Sequence, residues 1–361
     1  MTEFVTPIIV LSSISLLLGI MLILADKFFG DYGECKLIIN NEKEFTVNGG
    51  GTILSYLAAN KILIPSACGG KATCGFCKGQ VTTDVGPLLP TEKPFMNKTE
   101  ISDKTRLLCQ VKVKKDTNIT IPEEYFSVKE FKTNVESITP LTHDTRMFRF
   151  KLEDPAEIKF KPGQYIQFRI PGVGEERAYS IASNPNETGI VELIIRLVPG
   201  GLCTSYMFNK LKVGEEIFLT GPYGDFYLRE ETDCPIICVG GGSGSAPVRA
   251  IISYLRDKKS KRKIFSFYGG RTPKDIYFTE EYKKLSEEME DFTHIPAISE
   301  PEDGDGWDGE KGLITDPMEK ALDDLSDYEA YMCGPPAMLH FCSLLLKKHG
   351  IDENKIWFDE F

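Results

Sequence analysis

Residues 234–252, "CPIICVGGGSGSAPVRAII", carry the reading that organises this 361-residue chain. Ile236, Ile237, Cys238 and Val239 form a short continuous apolar run, as in a strand buried on both faces of a parallel sheet. Glycines follow at once and a helix begins. A glycine-rich turn of this kind lets backbone approach a pyrophosphate at the helix N-terminus, with Gly241, Gly242 and Gly244 as candidates. It departs from the usual G-x-G-x-x-G, because Pro247 stands where the last glycine would fall, and alone it is weak evidence. The stretches after it add weight. "KIFSFYGG" (263–270), "TEEYKKLSEEME" (279–290), "YEAYMCG" (328–334) and "PAMLHFCSLLLKKHG" (336–350) alternate strand and helix, with Gly350 as the expected C-terminal cap. That alternation predicts a parallel sheet covered on both faces. "YMCGPPAM" falls at a strand end where such sheets place ligands, so Cys333 either faces a ligand or is a buried structural thiol.

Upstream, from about Phe126 to Arg229, the period is two. "TRMFRFKL", "QYIQFRI", "AYSIA", "IVELIIRLV" and "EEIFLTGPYG" are short strands between Gly, Pro and Asn turns, which predicts an antiparallel barrel. One helix, "CTSYMFNKL", interrupts them. In "RAYSIAS", alternation puts Arg177 and Tyr179 on one face and Ser180 on the other. Together they offer a guanidinium for phosphate, an aromatic plane for a ring and a hydroxyl for a ring nitrogen. Gly201 and Thr204 open the helix, either as a phosphate cradle or as an ordinary N-cap.

Nearer the N-terminus, "ACGGKATCGFC" (67–77) sets Cys68, Cys74 and Cys77 in C-x5-C-x2-C spacing, with Cys109 about thirty residues on. Structural zinc draws on two close pairs of ligands, which would leave Cys109 without a neighbour. Plant-type [2Fe–2S] sites use one close run and a remote cysteine, and the spacing favours iron–sulfur over zinc. Cys35, Cys203, Cys234, Cys238 and Cys342 lack ligand spacing and read as small buried hydrophobes. Around the loop, "ECKLIINNEKEFTV" predicts two strands joined by an Asn-Asn turn and "GTILSYLAANKI" a helix, while "CQVKVKKDTNITI" (109–121) is strand-like.

Residues 4–25, "FVTPIIVLSSISLLLGIMLILA", contain no charge and are long enough to span a bilayer as a helix. A secretory signal peptide is the alternative, but no Lys or Arg precedes the run and no A-x-A site follows. The net charge of −11, without a basic block, makes the chain a poor candidate for binding nucleic acid, whose affinity rests on cationic contacts to phosphate. The acidic "EPEDGDGWDGE" (300–310) reads as a solvated loop.

"KPGQYIQFRIPG", "RAYSIAS", "GLCTSYMF", "GPYGDF", "VGGGSGSAPVRA", "FYGGRTPKDIYF" and "MCGPPAM" stand in the order of ferredoxin–NAD(P)+ reductase-type flavoproteins, which this chain resembles. With the apolar helix and cysteine loop ahead, the whole chain resembles the family of F subunits of sodium-translocating NADH:quinone reductases. It is shorter than that family's usual chain. The resemblance implies a multidomain α+β and α/β protein. Its parts would be a transmembrane helix (4–25), a β-grasp [2Fe–2S] ferredoxin domain (34–125), an FAD-binding β-barrel (126–229) and a Rossmann-like NAD(H)-binding domain (230–361). It implies hydride transfer from NADH to FAD, then single electrons to the cluster and on to membrane redox subunits. The implied location is the cell inner membrane, with the soluble domains in the cytoplasm. A stand-alone membrane-anchored reductase or an oxygenase reductase component is the alternative.

By the same resemblance, Cys68, Cys74, Cys77 and Cys109 hold the cluster. Arg177, Gly201 and Thr204 bind the FAD pyrophosphate, Tyr179 lies against the flavin ring and Ser180 sits near its reactive nitrogen. Gly241, Gly242, Gly244 and Pro247 form the dinucleotide turn, Arg271 and Asp275 lie near the adenosine end, and Cys333 and Gly334 flank the nicotinamide. The terminal "WFDEF" matches the family's C-terminal aromatic, so Phe361 would cover the flavin where nicotinamide enters. Hydride transfer needs no strong acid or base, which leaves Asp359 and Glu360 as candidates only for local charge tuning. Related loops often have glycine where Lys71 and Ala72 stand. A positive φ at Ala72 would store strain in the loop.

Overall fold

Asn40 and Asn41 turn the chain at φ 52 and 58, a left-handed region that asparagine tolerates better than most residues. They join β1 (Glu34–Ile39) to β2 (Lys43–Asn48) as the sequence predicts. The structure is a computed structural model and describes residues 10–21, 32–173, 175–304 and 306–360. It divides into two compact units, Met1–Ser127 and Val128–Phe361.

In the first unit, helix α1 (residues 10–21) exposes Leu11, Leu16, Leu17 and Met21. Residues 4–9 and 22–25 of the expected span lie outside the described residues, and among the described residues no helix is long and apolar enough to cross a membrane. After β2 come α2 (Ile53–Ala59), β3 (Lys78–Val81), α3 (Lys98–Ser102), β4 (Thr105–Leu107) and β5 (Thr117–Thr120). The sheet order is β2-β1-β5-β3-β4, with β1 and β5 parallel, which is a β-grasp arrangement. Thr52 caps α2 through its side chain, and Ile53 and Leu57 bury against Leu37, Ile39 and Ile119 of the sheet. Each such side chain contributes about 1.5–3 kcal/mol of burial. The strand expected over 109–121 is regular only at its end, because 109–113 is spent on the cysteine site and a single bridge from Thr52 to Lys112.

In the second unit, β6 (Lys129–Pro140), β7 (Thr145–Asp154), β8 (Tyr165–Arg169), β9 (Glu176–Ser180), β10 (Ile190–Arg196) and β11 (Glu216–Tyr223) form an antiparallel sheet, with α4 (Leu202–Asn209) between the last two. The order is β10-β7-β6-β11-β8-β9, and a bridge from Ile181 to Leu193 joins its two edges. The sheet is thereby a closed barrel around Phe148, Phe150 and Phe168.

The rest is doubly wound. β12 (Ile236–Gly241), α5 (Ser245–Asp257), β13 (Ile264–Gly270), α6 (Thr279–Glu288), β14 (Phe292–Ile298), β15 (Glu310–Lys311), α7 (Thr315–Ala321), β16 (Glu329–Gly334), α8 (Pro336–Lys348) and β17 (Ile356–Glu360) follow in turn. All pairs are parallel and the order is β15-β14-β13-β12-β16-β17. Strand order therefore reverses between β12 and β16, and ligands of such sheets bind at that reversal. Gly350 (φ 99) ends α8: its N–H bonds to Lys347 and that of Ile351 to Leu346. Residues 301–304 of the acidic loop are exposed.

Candidate cofactor and redox sites

The remote cysteine reaches the loop through a hairpin. β3 pairs with β4, Lys78 opposite Leu107, and the Leu108 N–H bonds to the Cys77 carbonyl at 2.8 Å, which sets Cys109 beside Cys77. Cys68 and Cys74 form the other pair, with sulfurs 3.4 Å apart. Among the described residues no three Cys, His, Asp or Glu side chains converge on one point that could hold a single ion. Two thiol pairs suit two irons, each taking two thiolates.

Loop N–H groups aim at the sulfurs. Burial raises the Cys68 thiol, but the N–H of Thr73 and a bond with Cys74 outweigh it and bring it down to about 7. Cys109 falls to about 6 through its bond with Cys77, then the Gln110 amide and the Ala72 N–H, against burial. Burial raises Cys74, and the bond with Cys109 raises Cys77. Ala72 has φ 56, so the left-handed conformation anticipated there is present, and it points the N–H at Cys109.

In the second unit, a cavity of about 370 Å³ opens at the strand reversal. Gly241, Gly242, Arg271 and Asp275 line it, together with Pro335 and Met338. Gly244 is required by close approach: a Cβ there would lie 2.2 Å from the Cys333 carbonyl oxygen. Gly242 has φ +54, and a Cβ on it would meet nothing within 4 Å. The Tyr277 hydroxyl pins the turn, donating to the Gly242 carbonyl at 2.5 Å and lying 2.8 Å from Ser245 Oγ. Pro247 occupies the first turn of α5, where an N–H has no intrahelical partner, so the departure from the glycine pattern costs the helix nothing. The Asp275 carboxylate accepts from the N–H groups of Arg271 and Thr272 and from the Thr272 hydroxyl, and so holds the loop that carries the exposed Arg271.

In the barrel, Arg177 donates to Glu175 Oε2 and the Glu176 carbonyl, both at 2.8 Å. Tyr179 packs on the barrel core and its phenol hydrogen-bonds with Cys203; burial raises it. The strand shows no sharp inward–outward alternation, since all five residues of β9 are half-buried. The Gly201 carbonyl receives the Ser205 N–H, so the N–H groups of residues 202–204 precede the first bond of α4. Thr204 Oγ1 receives the Val198 N–H at 3.2 Å, closing the loop before the helix.

Ser180 leads to the junction of barrel and parallel sheet, where its hydroxyl hydrogen-bonds to the Asp359 carboxyl. Asp359 of β17 pairs with Cys333, which is buried at the end of the adjacent β16 beside Gly334. Burial, then Asp359, pushes the Cys333 thiol well up, and burial also raises Asp359. Phe361 lies outside the described residues. Sequence reasoning missed the Ser180–Asp359 contact, Tyr277, and Arg196, whose Nε donates to Asp144 at 2.7 Å in the cavity wall. Only Arg196, at a strand end just before the Gly-Gly of the α4 start, carried a local signal.

A closed barrel joined to a doubly wound sheet, preceded by a four-cysteine β-grasp unit, defines an iron–sulfur flavoprotein oxidoreductase. Three domain families match in that sense: a 2Fe-2S iron-sulfur cluster binding domain over residues 37–114, an oxidoreductase FAD-binding domain over 132–227 and an oxidoreductase NAD-binding domain over 238–343. The F subunit of the Na(+)-translocating NADH-quinone reductase of Neisseria meningitidis is 33% identical, over 99% of both chains. Its counterpart in Marinomonas is 34% identical, over 99% of this chain and 98% of its own. Among solved structures, a cytochrome P450 reductase from Amycolatopsis superposes with a TM-score of 0.74 at 25% identity, covering 91% of this chain and 98% of its own. The chain belongs to the family of F subunits of Na(+)-translocating NADH-quinone reductases.

Proposed function

We propose that this protein is the NADH-oxidising, electron-entry component of a membrane-bound NADH:quinone reductase that couples to sodium transport. The observation that carries it is the cavity at the strand reversal, bounded by the glycine turn on one side and by barrel residues Asp144 and Arg196 on the other. FAD, when bound, accepts an electron pair arriving as hydride and releases single electrons, which is what a one-electron [2Fe–2S] centre takes.

The chain's own residues do the holding. Arg177 and the open N–H groups at the start of α4 would hold the FAD pyrophosphate, with the guanidinium shared between phosphate and Glu175. Tyr179 is braced by Cys203 to lie against the flavin ring. The Ser180 hydroxyl, held by Asp359, and the buried Cys333 would flank the point where nicotinamide and flavin meet, with Phe361 as the cover. The Gly241–Gly244 turn would cradle the NADH pyrophosphate, and Arg271 the adenosine end. Cys68 with Cys74, and Cys77 with Cys109, would each hold one iron. Domain limits follow as 34–125, 126–229 and 230–361.

Residues 4–25 form the membrane anchor in this reading, supported by the uncharged sequence and the exposed apolar side chains of α1. The soluble domains then lie on the cytoplasmic side of the inner membrane and pass electrons to membrane redox subunits. Full-length identity with the F subunits of such reductases favours this over a stand-alone reductase. Rapid mixing with NADH tests it: flavin absorbance falls in the parent, and Ser180→Ala slows that fall by about 10²-fold at full FAD content. An unchanged rate, or recovery of the protein in the soluble fraction without detergent, counts against it.

A further inference from the structure

The four thiols differ in what reaches them from outside the loop. Gln110 follows Cys109 directly, and its half-buried side chain folds back over the site. Its amide nitrogen lies 3.5 Å from Cys109 Sγ, 3.3 Å from the Cys109 carbonyl oxygen and 3.5 Å from the Gly70 carbonyl oxygen. Three acceptors on that side require the nitrogen end of the amide there, because an oxygen would face only other lone pairs. On its other side, the amide oxygen accepts from the Thr91 hydroxyl at 3.1 Å. Gln110 thus bridges a ligand cysteine to loop backbone forty residues away, and Thr91 holds it in that pose.

We propose that Gln110 is a tuning and positioning residue for the cluster: its amide clasps Gly70 to Cys109 and donates to the Cys109 sulfur, raising the cluster's reduction potential. The reason is electrostatic. One-electron reduction adds negative charge that spreads over irons and sulfurs, and a donor aimed at a ligand sulfur stabilises the reduced form more than the oxidised form. The Ala72 N–H serves the same sulfur, but a backbone donor is present whatever the side chain. Gln110 is the donor that a substitution can remove. The proposal rests on the assignment of a [2Fe–2S] cluster to these four cysteines.

The test is an anaerobic redox titration of the full-length protein carrying FAD and cluster, with cluster reduction read by low-temperature EPR. Gln110→Met keeps the length and removes the donor. It shifts the reduction equilibrium about tenfold toward the oxidised form, which is about 59 mV lower for one electron. Thr91→Val keeps the donor but frees its anchor, and shifts the equilibrium the same way by less. Should Gln110→Met assemble little cluster, the Thr91→Val titration gives the reading. Either variant holding parental iron and sulfide but titrating within about twofold of the parent overturns the role of Gln110. The underlying assignment fails by a different result: Cys109→Ala retaining parental iron and sulfide.

Discussion

Gly244→Ala is the substitution whose effect the backbone geometry fixes most tightly. The added methyl would stand 2.2 Å from the Cys333 carbonyl oxygen, 2.5 Å from its carbonyl carbon and 2.9 Å from the Gly334 nitrogen. All three are main-chain atoms of β16, so no side chain can turn aside. Relief to ordinary contact needs a movement of roughly 1 Å between the turn and the end of β16. Overpacking of that kind costs about 1–3 kcal/mol of stability. The movement also falls between the turn proposed for the pyrophosphate and the strand end proposed for the nicotinamide, where a 1 Å misplacement costs about 10²-fold in rate. Gly242→Ala is the control, because it meets nothing within 4 Å and suffers only its left-handed φ of +54. That costs about 1–2 kcal/mol without a clash. Thermal melts and stopped-flow flavin reduction over a range of NADH concentrations separate the two. Gly244→Ala reduces flavin at least tenfold more slowly at limiting NADH, and Gly242→Ala loses stability with a smaller loss of rate. A Gly244→Ala protein within twofold of the parent at every NADH concentration would refute the placement of the site.

Arg106→Met leaves Glu92, which is fully buried, with only the N–H groups of Leu89 and Leu107, and destabilises the first unit by about 3–5 kcal/mol in denaturant melts. Burial raises the Glu92 carboxyl, but Arg106 and the two N–H groups outweigh it and hold it below the usual range. Its stabilisation is therefore present above its unfolded value near 4.5 and is lost as pH falls through the lower folded value, so acid melts of the parent steepen there and those of Arg106→Met do not. Asp359 has the opposite sign: raised by burial, it favours folding below 3.8 and loses that contribution as pH rises through its folded value. Asp359→Asn accordingly melts above the parent at pH 7, and the gap closes in acid. Ala72→Gly relieves about 1–2 kcal/mol of left-handed strain but gives up a buried methyl worth about 0.8 kcal/mol and adds chain entropy, so cluster release to a chelator changes little. Ala72→Val, β-branched at φ 56, loses the cluster quickly in the same assay.

Much of this architecture is readable where one physical signal dominates. The run at 145–152 alternates, with Phe148, Phe150 and Leu152 buried, and the apolar run at 190–196 is buried almost throughout; both are strands, and the apolar run 236–239 is a central strand of the parallel sheet. β6 escaped reading although it is the longest strand of the barrel, because buried Thr133 and flanking lysines dilute its alternation. β14 carries His294 and Pro296, which argue against a strand until the sheet around them is known. C-x5-C-x2-C signals a metal site, but the division into two thiol pairs depends on the β3–β4 hairpin, which no local pattern marks. Glu92 and Arg106 stand among polar residues in the sequence and yet form a buried pair. The Ser180–Asp359 contact joins chain segments far apart in sequence, so it belongs to the fold alone.

Electrons entering at the flavin and leaving through the cysteine loop can be followed by anaerobic NADH titration of the purified full-length protein. Flavin bleaching and the EPR signal of the reduced cluster are followed together, in the parent and in Cys74→Ala. The parent takes up about three electrons per chain and Cys74→Ala about two, bleaching its flavin without a cluster signal. A cluster that NADH leaves oxidised in the parent, or that survives intact in Cys74→Ala, would contradict that electron path.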